Sequence, residues 1–207
     1  MNLSKHAHYP LVFFFLLGVP ASSAGQTAEP SSEQCLGGRL DAAVRIEVFS
    51  DFQCPACRSL YLDVMQKVMQ DYSNMGKVCV IYHEFPLPAH SLAREAARYS
   101  KAAQRLGPSQ WRAVITALYE FQGVWTWDGS IDAVVFKALD KEDFFKLKKL
   151  LEDPSIDTAI NSDVALGGKR QVQSTPTFFL RAAGKEERVV GGIPYRVLKD
   201  FIDRALR

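Results

Sequence analysis

Residues 44–57 read VRIEVFSDFQCPAC and carry two cysteines, Cys54 and Cys57, separated by two residues. The stretch begins with a β-branched and apolar run, residues 44–49, which predicts a short strand. After the cysteines, residues 58–75 place apolar side chains at helical spacing. The two cysteines are therefore predicted to lie where a strand ends and a helix begins.

This position suits the Cys54–Cys57 pair to thiol–disulfide exchange. A helix N-terminus presents unpaired N–H groups and the positive end of the helix dipole, which stabilise a thiolate. We predict Cys54 as an exposed nucleophile and Cys57, one turn into the helix, as the buried resolving thiol. Pro55 restricts the backbone at the helix start, where its missing N–H costs little.

Two other interpretations of the pair are weaker. Zinc takes about four ligands, and the sequence has no second CxxC and no spaced histidine pair. A purely structural disulfide between Cys54 and Cys57 would close a very short loop and constrain the unfolded chain little. We expect no metal, and no cofactor apart from the redox-active disulfide itself.

The rest of the chain alternates strand and helix patterns. Residues 78–85 predict a second strand, which completes a βαβ unit with parallel strands. Residues 91–170 show helical patterns and no strand pattern, which predicts a helical insertion. Two short strands and a last helix are predicted in residues 171–207.

The N-terminus has the pattern of a secretory signal peptide. A basic start precedes an apolar run, residues 11–19, and the small residues Ser22 and Ala24 follow. This run is shorter than the roughly 20 residues that span a bilayer, so we predict cleavage after Ala24, with a retained anchor as the alternative. Residues 1–24 are the predicted signal peptide and residues 25–40 a flexible lead-in.

Composition and export limit the functions that remain. The net charge of the 207-residue chain is +2, with no long basic run, which argues against a nucleic-acid partner. Outside the cytoplasm disulfides persist, so Cys35 and Cys79 have two interpretations. Cys79 is a buried, inert thiol, or the two cysteines pair and tether the lead-in to the domain.

Three separated segments resemble the DsbA family of bacterial thiol oxidoreductases. They are FSDFQCPAC at residues 49–57, Phe-Pro-Leu at residues 85–87 followed by His90, and STPTF at residues 174–178. The resemblance implies an α/β thioredoxin fold, a central sheet flanked by helices, with an inserted all-helical domain. By this resemblance we expect the thioredoxin-fold domain in residues 41–90 and 171–207, and the insertion in residues 91–170.

The resemblance also implies the partners and the compartment. The partners are substrate proteins with reduced or misoxidised cysteines, and a membrane protein similar to DsbB or VKOR that restores the disulfide. The protein is expected in the periplasm or otherwise exported. The sequence shows no separate dimerisation domain, which favours a monomer.

Further site residues follow from the resemblance. It implies a cis bond between Thr175 and Pro176 and a substrate strand that pairs with the backbone of Thr175. Some members have a buried acid below the active site, and Glu47 is the candidate here. The alternative is that Glu47 forms an ion pair with Arg45 or Lys77.

The residue at position 56 leaves the direction of exchange open. The strongly oxidising members have histidine where this chain has Ala56, so a cation that would stabilise the Cys54 thiolate is missing. A disulfide donor is the favoured function, and a reductase or isomerase kept reduced by an electron donor is the alternative. A non-catalytic adaptor with this fold is the alternative from another class.

Overall fold

The computed structural model of the chain describes Met1 and residues 34–207. The predicted signal peptide and most of the predicted lead-in therefore lie outside the described residues. In the described part, five strands form one sheet: β1 (Cys35–Gly37), β2 (Val44–Ser50), β3 (Val78–Glu84), β4 (Thr177–Ala182) and β5 (Lys185–Val190).

The helices flank this sheet or pack on one another beside it. In chain order they are α1 (Pro55–Ser59), α2 (Gln66–Asp71), α3 (Ala93–Leu106), α4 (Pro108–Glu120), α5 (Gln122–Asp128), α6 (Ile131–Ala138), α7 (Lys141–Leu150), α8 (Ser155–Lys169) and α9 (Tyr195–Ala205). A π-helical segment, Leu60–Met65, joins α1 to α2, and a 3₁₀ turn, Ser73–Met75, follows α2. No helix of the described residues is long and apolar enough to cross a membrane.

The sheet has the order β1-β3-β2-β4-β5. Strands β2 and β3 are parallel, with Val44 opposite Val78 and Ser50 opposite Glu84, and every other neighbouring pair is antiparallel. The predicted α/β fold, a βαβ unit and a ββα unit separated by helices, is confirmed.

Alternation along β2 divides its side chains between the two faces of the sheet. Ile46 and Val48 join the main core, which also contains Cys57 and continues into the helical insertion. On the opposite face, Phe49 packs with Val172 in a separate cluster. The face to which a β2 side chain belongs therefore decides whether that side chain reaches the cysteines.

The prediction of a flexible lead-in up to residue 40 is wrong for its last part. Cys35–Gly37 is strand β1, paired antiparallel with β3 at the edge of the sheet. A disulfide joins Cys35 to Cys79 with a Cα–Cα distance of 5.5 Å, so the tether interpretation holds. Gly38 has a φ of +91°, and a Cβ there would lie 1.9 Å from the carbonyl oxygen of Val78. The glycine at position 38 thus allows the backbone to pass close to β3, and it does not indicate a flexible segment.

We expect this disulfide to stabilise the fold. Replacing Cys35 and Cys79 together by alanine should lower the free energy of unfolding by about 2–4 kcal/mol. The physical reason is that the cross-link joins residues 44 apart in sequence and so restricts the unfolded chain. Urea unfolding of the double variant and the parent, both with Cys54 and Cys57 oxidised, measures the difference. Equal free energies of unfolding would contradict this role.

Candidate active site

The backbone places the two cysteines at the start of a helix. Cys54 is the N-cap residue of α1, with extended backbone angles (φ −76°, ψ 119°), and Pro55 occupies the first turn. Cys57 lies inside α1, and its side chain belongs to the main core. Both cysteines are free thiols in this structure.

Cys54 is less exposed than the sequence predicted. Only 7% of Cys54 is exposed, against 1% of Cys57, so Cys54 is the more accessible thiol of a nearly buried pair. The reason is the loop before β4, which comes close to the thiol. The Cys54 Sγ donates a hydrogen bond of 3.3 Å to the carbonyl oxygen of Thr175.

The two thiols have opposite acidities. A hydrogen bond from the Cys57 side chain is the main cause that lowers the pKa of Cys54 to about 6, against the opposing effect of burial. The Thr175 hydroxyl lowers this pKa further. Burial is the main cause that raises the pKa of Cys57, and the neighbouring Cys54 raises it more. One sulfur is therefore suited to be a thiolate at neutral pH and the other to remain a thiol.

The Thr175–Pro176 peptide bond is cis, as the resemblance implied. Two hydrogen bonds hold the loop around it. The N–H of Gly191 donates to the carbonyl oxygen of Pro176 at 2.8 Å, and the Thr177 hydroxyl donates to the carbonyl oxygen of Ser174 at 2.7 Å. This loop and the Cys54 thiol therefore face each other.

Asp51 organises the turn that leads into the cysteines, and the sequence analysis did not single it out. Its buried carboxylate accepts hydrogen bonds from the N–H of Gln53 at 2.7 Å, from the N–H of Leu87 at 2.7 Å and from Nδ1 of His90 at 2.9 Å. The first of these closes an Asx turn, for which an aspartate two residues before Gln53 is a recognisable sequence signal. The other partners are remote in sequence and gave no such signal.

A glutamine from the insertion also binds this turn. The Gln122 side chain, at the start of α5, donates to the carbonyl oxygens of Phe52 and Cys54 at 2.6 Å and 3.1 Å. Helix α5 was not predicted, and no sequence signal pointed to Gln122. The helical insertion therefore takes a direct part in holding the backbone at Cys54.

Glu47 does not neighbour the cysteines, which corrects the prediction from the resemblance. It alternates with Val48 along β2 and so faces away from Cys57. Its carboxylate forms an ion pair with Arg170 and lies 4.0 Å from Arg45. Glu47 therefore forms an ion pair, as the alternative predicted, but its main partner is Arg170, which the sequence did not indicate; of the two predicted partners, Arg45 is the one in contact.

Ala56 is exposed and lines a groove beside the cysteines. The groove has a volume of about 540 Å³ and runs between α1 and the segment before α9. Its lining includes the apolar side chains of Leu60, Val64 and Ile193. In the described part of the chain, no three His, Cys, Asp or Glu side chains are grouped in a way that could hold a metal ion.

The comparisons with known proteins agree with this geometry. The sequence profile of the thioredoxin family matches residues 31–204. The chain belongs to this family, as a DsbA-like member. It is 27% identical over 181 residues to the probable disulfide bond formation protein D of Bacillus anthracis, which covers 86% of this chain and 80% of that protein.

Two solved structures are similar over most of the chain. A thioredoxin-like oxidoreductase from Silicibacter pomeroyi DSS-3 has a TM-score of 0.66 and 26% identity, covering 86% of this chain and 93% of that one. Oxidised BdbD from Bacillus subtilis has a TM-score of 0.66 and 24% identity, covering 82% and 90%. The protein is a DsbA-like thiol:disulfide oxidoreductase.

In this DsbA-like chain, a group of buried hydroxyls lies on the Cys57 side of the sheet. The Tyr119 hydroxyl lies 2.8 Å from the Ser50 hydroxyl and 2.6 Å from the Tyr82 hydroxyl. The Ser50 hydroxyl in turn interacts with Cys57 and lowers its pKa, against the larger effect of burial. The Cys57 thiol is therefore connected to a chain of hydroxyl groups.

Glu84 is the buried acid on this side, and it was missed by the sequence analysis. It alternates with Ile81 and His83 along β3 and stands opposite Ser50 in the parallel register. Neither of its carboxyl oxygens has a hydrogen-bond partner at normal geometry, and burial raises its pKa to about 8. A charged residue at the end of an apolar strand was its only sequence signal.

The raised pKa of Glu84 makes stability depend on pH. In the unfolded chain this carboxyl ionises near 4.5, whereas the folded protein keeps it protonated up to about 8. The free energy of unfolding should therefore fall as the pH rises from about 4.5 to about 8. Glu84→Gln should remove this part of the slope. Urea unfolding across this pH range measures it.

The same series contains its own control. At pH 4 the carboxyl is protonated in both states, so the Glu84→Gln variant and the parent should have similar free energies of unfolding. An identical pH slope in the two proteins would show that Glu84 does not titrate in this way.

Proposed function

We propose that this oxidoreductase is an exported disulfide donor, which hands the Cys54–Cys57 disulfide to pairs of cysteines in substrate proteins. The observation that carries the proposal is the lowered pKa of Cys54 beside the raised pKa of Cys57. A thiolate that is stable at neutral pH stabilises the reduced protein and so makes its disulfide a stronger oxidant. The name of the Bacillus anthracis relative supports the same direction.

The proposed exchange has two steps. A substrate thiolate attacks Cys54 and forms a mixed disulfide, and the Cys54–Cys57 bond breaks. A second thiolate of the substrate then attacks the substrate sulfur of the mixed disulfide, and Cys54 leaves as a thiolate. The two substrate sulfurs become a disulfide, and the two electrons that they lose are gained by Cys54 and Cys57. Cys54 stays a thiolate and Cys57 takes up one proton, while the substrate thiols release their protons to solvent when they ionise.

Cys57 needs a proton when it leaves in the first step, because burial disfavours its thiolate. The hydroxyls of Ser50 and Tyr119 connect this sulfur to the region of Glu84. A carboxyl with a pKa of about 8 holds a proton at neutral pH and is able to release it. We therefore assign Glu84, rather than Glu47, as the acid of this reaction.

Substrate binding is proposed at the loop that faces Cys54. The backbone of Thr175, next to the cis bond to Pro176, is the pairing site for an extended substrate strand. The apolar groove that begins at Ala56 would accept side chains of that strand. These contacts suit an unfolded polypeptide, whose backbone groups are free to pair.

Export and reoxidation complete the proposal. The Cys35–Cys79 disulfide supports a compartment in which disulfides persist, as does the signal-peptide pattern of residues 1–24. A periplasmic or otherwise exported donor needs an oxidant to restore Cys54–Cys57. We propose a DsbB-like or VKOR-like membrane protein for this step.

The roles of the two thiols are separable by trapping. When Cys57→Ser is mixed with a disulfide-bonded peptide, the Cys54 thiolate should attack and remain in a long-lived mixed disulfide, because no resolving thiol is present. The matched Cys54→Ser variant should form no adduct, since Cys57 is buried and protonated. Mass spectrometry under non-reducing conditions detects the adduct.

Two further measurements use the same proteins. The oxidised parent should convert a two-cysteine peptide to its disulfide faster than the reduced parent cleaves that disulfide, and Glu84→Gln should slow the oxidation at pH 7. Equal adducts with both serine variants would contradict the assigned roles. A biological activity of the protein that survives Cys54→Ser would favour the adaptor function. Cleavage of the peptide disulfide that is faster than its formation would favour the reductase.

A further inference from the structure

The pair formed by His90 and Asp51 connects a residue of the loop after β3 to the backbone that carries both cysteines. We propose that His90 is a positioning residue that acts through Asp51 and thereby sets the reduction potential of the Cys54–Cys57 pair. The proposal rests on the assignment of these cysteines as the reacting pair.

The Asp51 side chain is completely buried, and its carboxylate has three hydrogen-bond donors. Two are the backbone N–H groups of Gln53 and Leu87, which the chain supplies whatever the side chains are. His90 is the third, with Nδ1 2.9 Å from Oδ2, and its side chain is 28% exposed. Because a carboxylate only accepts, Nδ1 of His90 carries the donated proton.

Asp51 contacts both reacting residues through its backbone. Its N–H donates to Sγ of Cys57 at 3.5 Å, and its carbonyl oxygen accepts from the N–H of Cys54 at 3.1 Å. Its side chain also binds the N–H of Gln53, the residue before Cys54. A shift of Asp51 therefore changes the hydrogen bonds of both cysteines.

The charge of Asp51 also affects the stability of a thiolate at the two cysteines. The Asp51 carboxylate and the carboxyl of Glu84 are both buried and lie close enough to interact, and Asp51 is in direct contact with Cys57. A carboxylate that loses one of its donors becomes a stronger source of negative potential, which disfavours a thiolate nearby. With Ala56 between the cysteines, the CxxC segment itself has no cation to offset this potential. His90 supplies the compensating donor from a different loop.

The chain contains a matched control for this pair. His83 and Asp163 also form a His–Asp contact, with Nδ1 3.1 Å from Oδ1. His83 alternates with Tyr82 along β3 and stacks on Phe49, on the sheet face opposite Cys57. Its loss removes the same kind of hydrogen bond without touching the turn at Asp51.

The experiment compares reduction potentials of the full-length mature protein in glutathione buffers. His90→Leu removes the donor, His90→Asn keeps a side-chain N–H donor, and His83→Leu is the control. We expect His90→Leu to lower the equilibrium constant for reduction by glutathione about tenfold, equivalent to about 30 mV. The Cys54 thiolate, followed by its absorbance near 240 nm, should titrate at higher pH in the same variant. His90→Asn should recover most of both properties, and His83→Leu should match the parent in both.

The outcomes separate this inference from the proposed function. A parent protein with no reversible two-thiol transition would refute the proposed function itself. A normal parent together with an unchanged potential in a folded His90→Leu variant would refute the role of His90 alone. A lower melting temperature without a change in potential would show that His90 is merely structural, which also overturns the inference. If His90→Leu does not fold, His90→Ala takes its place, and an unchanged reduction potential in that variant refutes the inference.

Discussion

The short turn between β2 and α1 is the constraint on which the rest of the site depends. Asp51 is buried in that turn with its carboxylate bound to two backbone N–H groups and to His90. These bonds end the strand at Ser50 and direct the chain so that Cys54 becomes the N-cap of α1. A buried carboxylate without such partners would be costly, so the turn has one favoured geometry. The positions of both sulfurs follow from it.

The helical insertion is part of the same arrangement rather than an appendage. Gln122 binds the carbonyl oxygens beside the cysteines, and Tyr119 brings its hydroxyl to Ser50 on the Cys57 side of the sheet. Asp163, in α8, accepts a hydrogen bond from the N–H of Glu84 at the end of β3. The insertion therefore holds the active-site turn through Gln122 and contacts the end of β3 through Asp163. The insertion therefore contributes to the chemistry by holding the backbone at Cys54 and by placing the Tyr119 hydroxyl on the Cys57 side of the sheet.

The sequence predicted those features that depend on local pattern. Alternation and helical spacing located β2 and α1, and the CxxC spacing placed Cys54 and Cys57 between them. The sequence does not show which face of β2 receives α1, and for that reason it could not decide between the buried acid that the resemblance implies and the ion-pair alternative for Glu47. β1 has three residues, too few for any periodicity, so the sequence predicts a flexible segment there. Of the partners of Asp51, Gln53 is local, whereas Leu87 and His90 lie in the loop after β3, which only the folded chain brings close.

The central claim is that Cys54 and Cys57 form a reversible, oxidising redox pair, and equilibration of the mature protein with glutathione tests it most directly. Free thiols are trapped by alkylation at each ratio of reduced to oxidised glutathione. The account predicts one two-electron transition at a potential well above the roughly −270 mV of thioredoxin, because the Cys54 thiolate stabilises the reduced form. A transition near the thioredoxin value would contradict the donor role. The absence of a reversible two-thiol transition would contradict the claim as a whole.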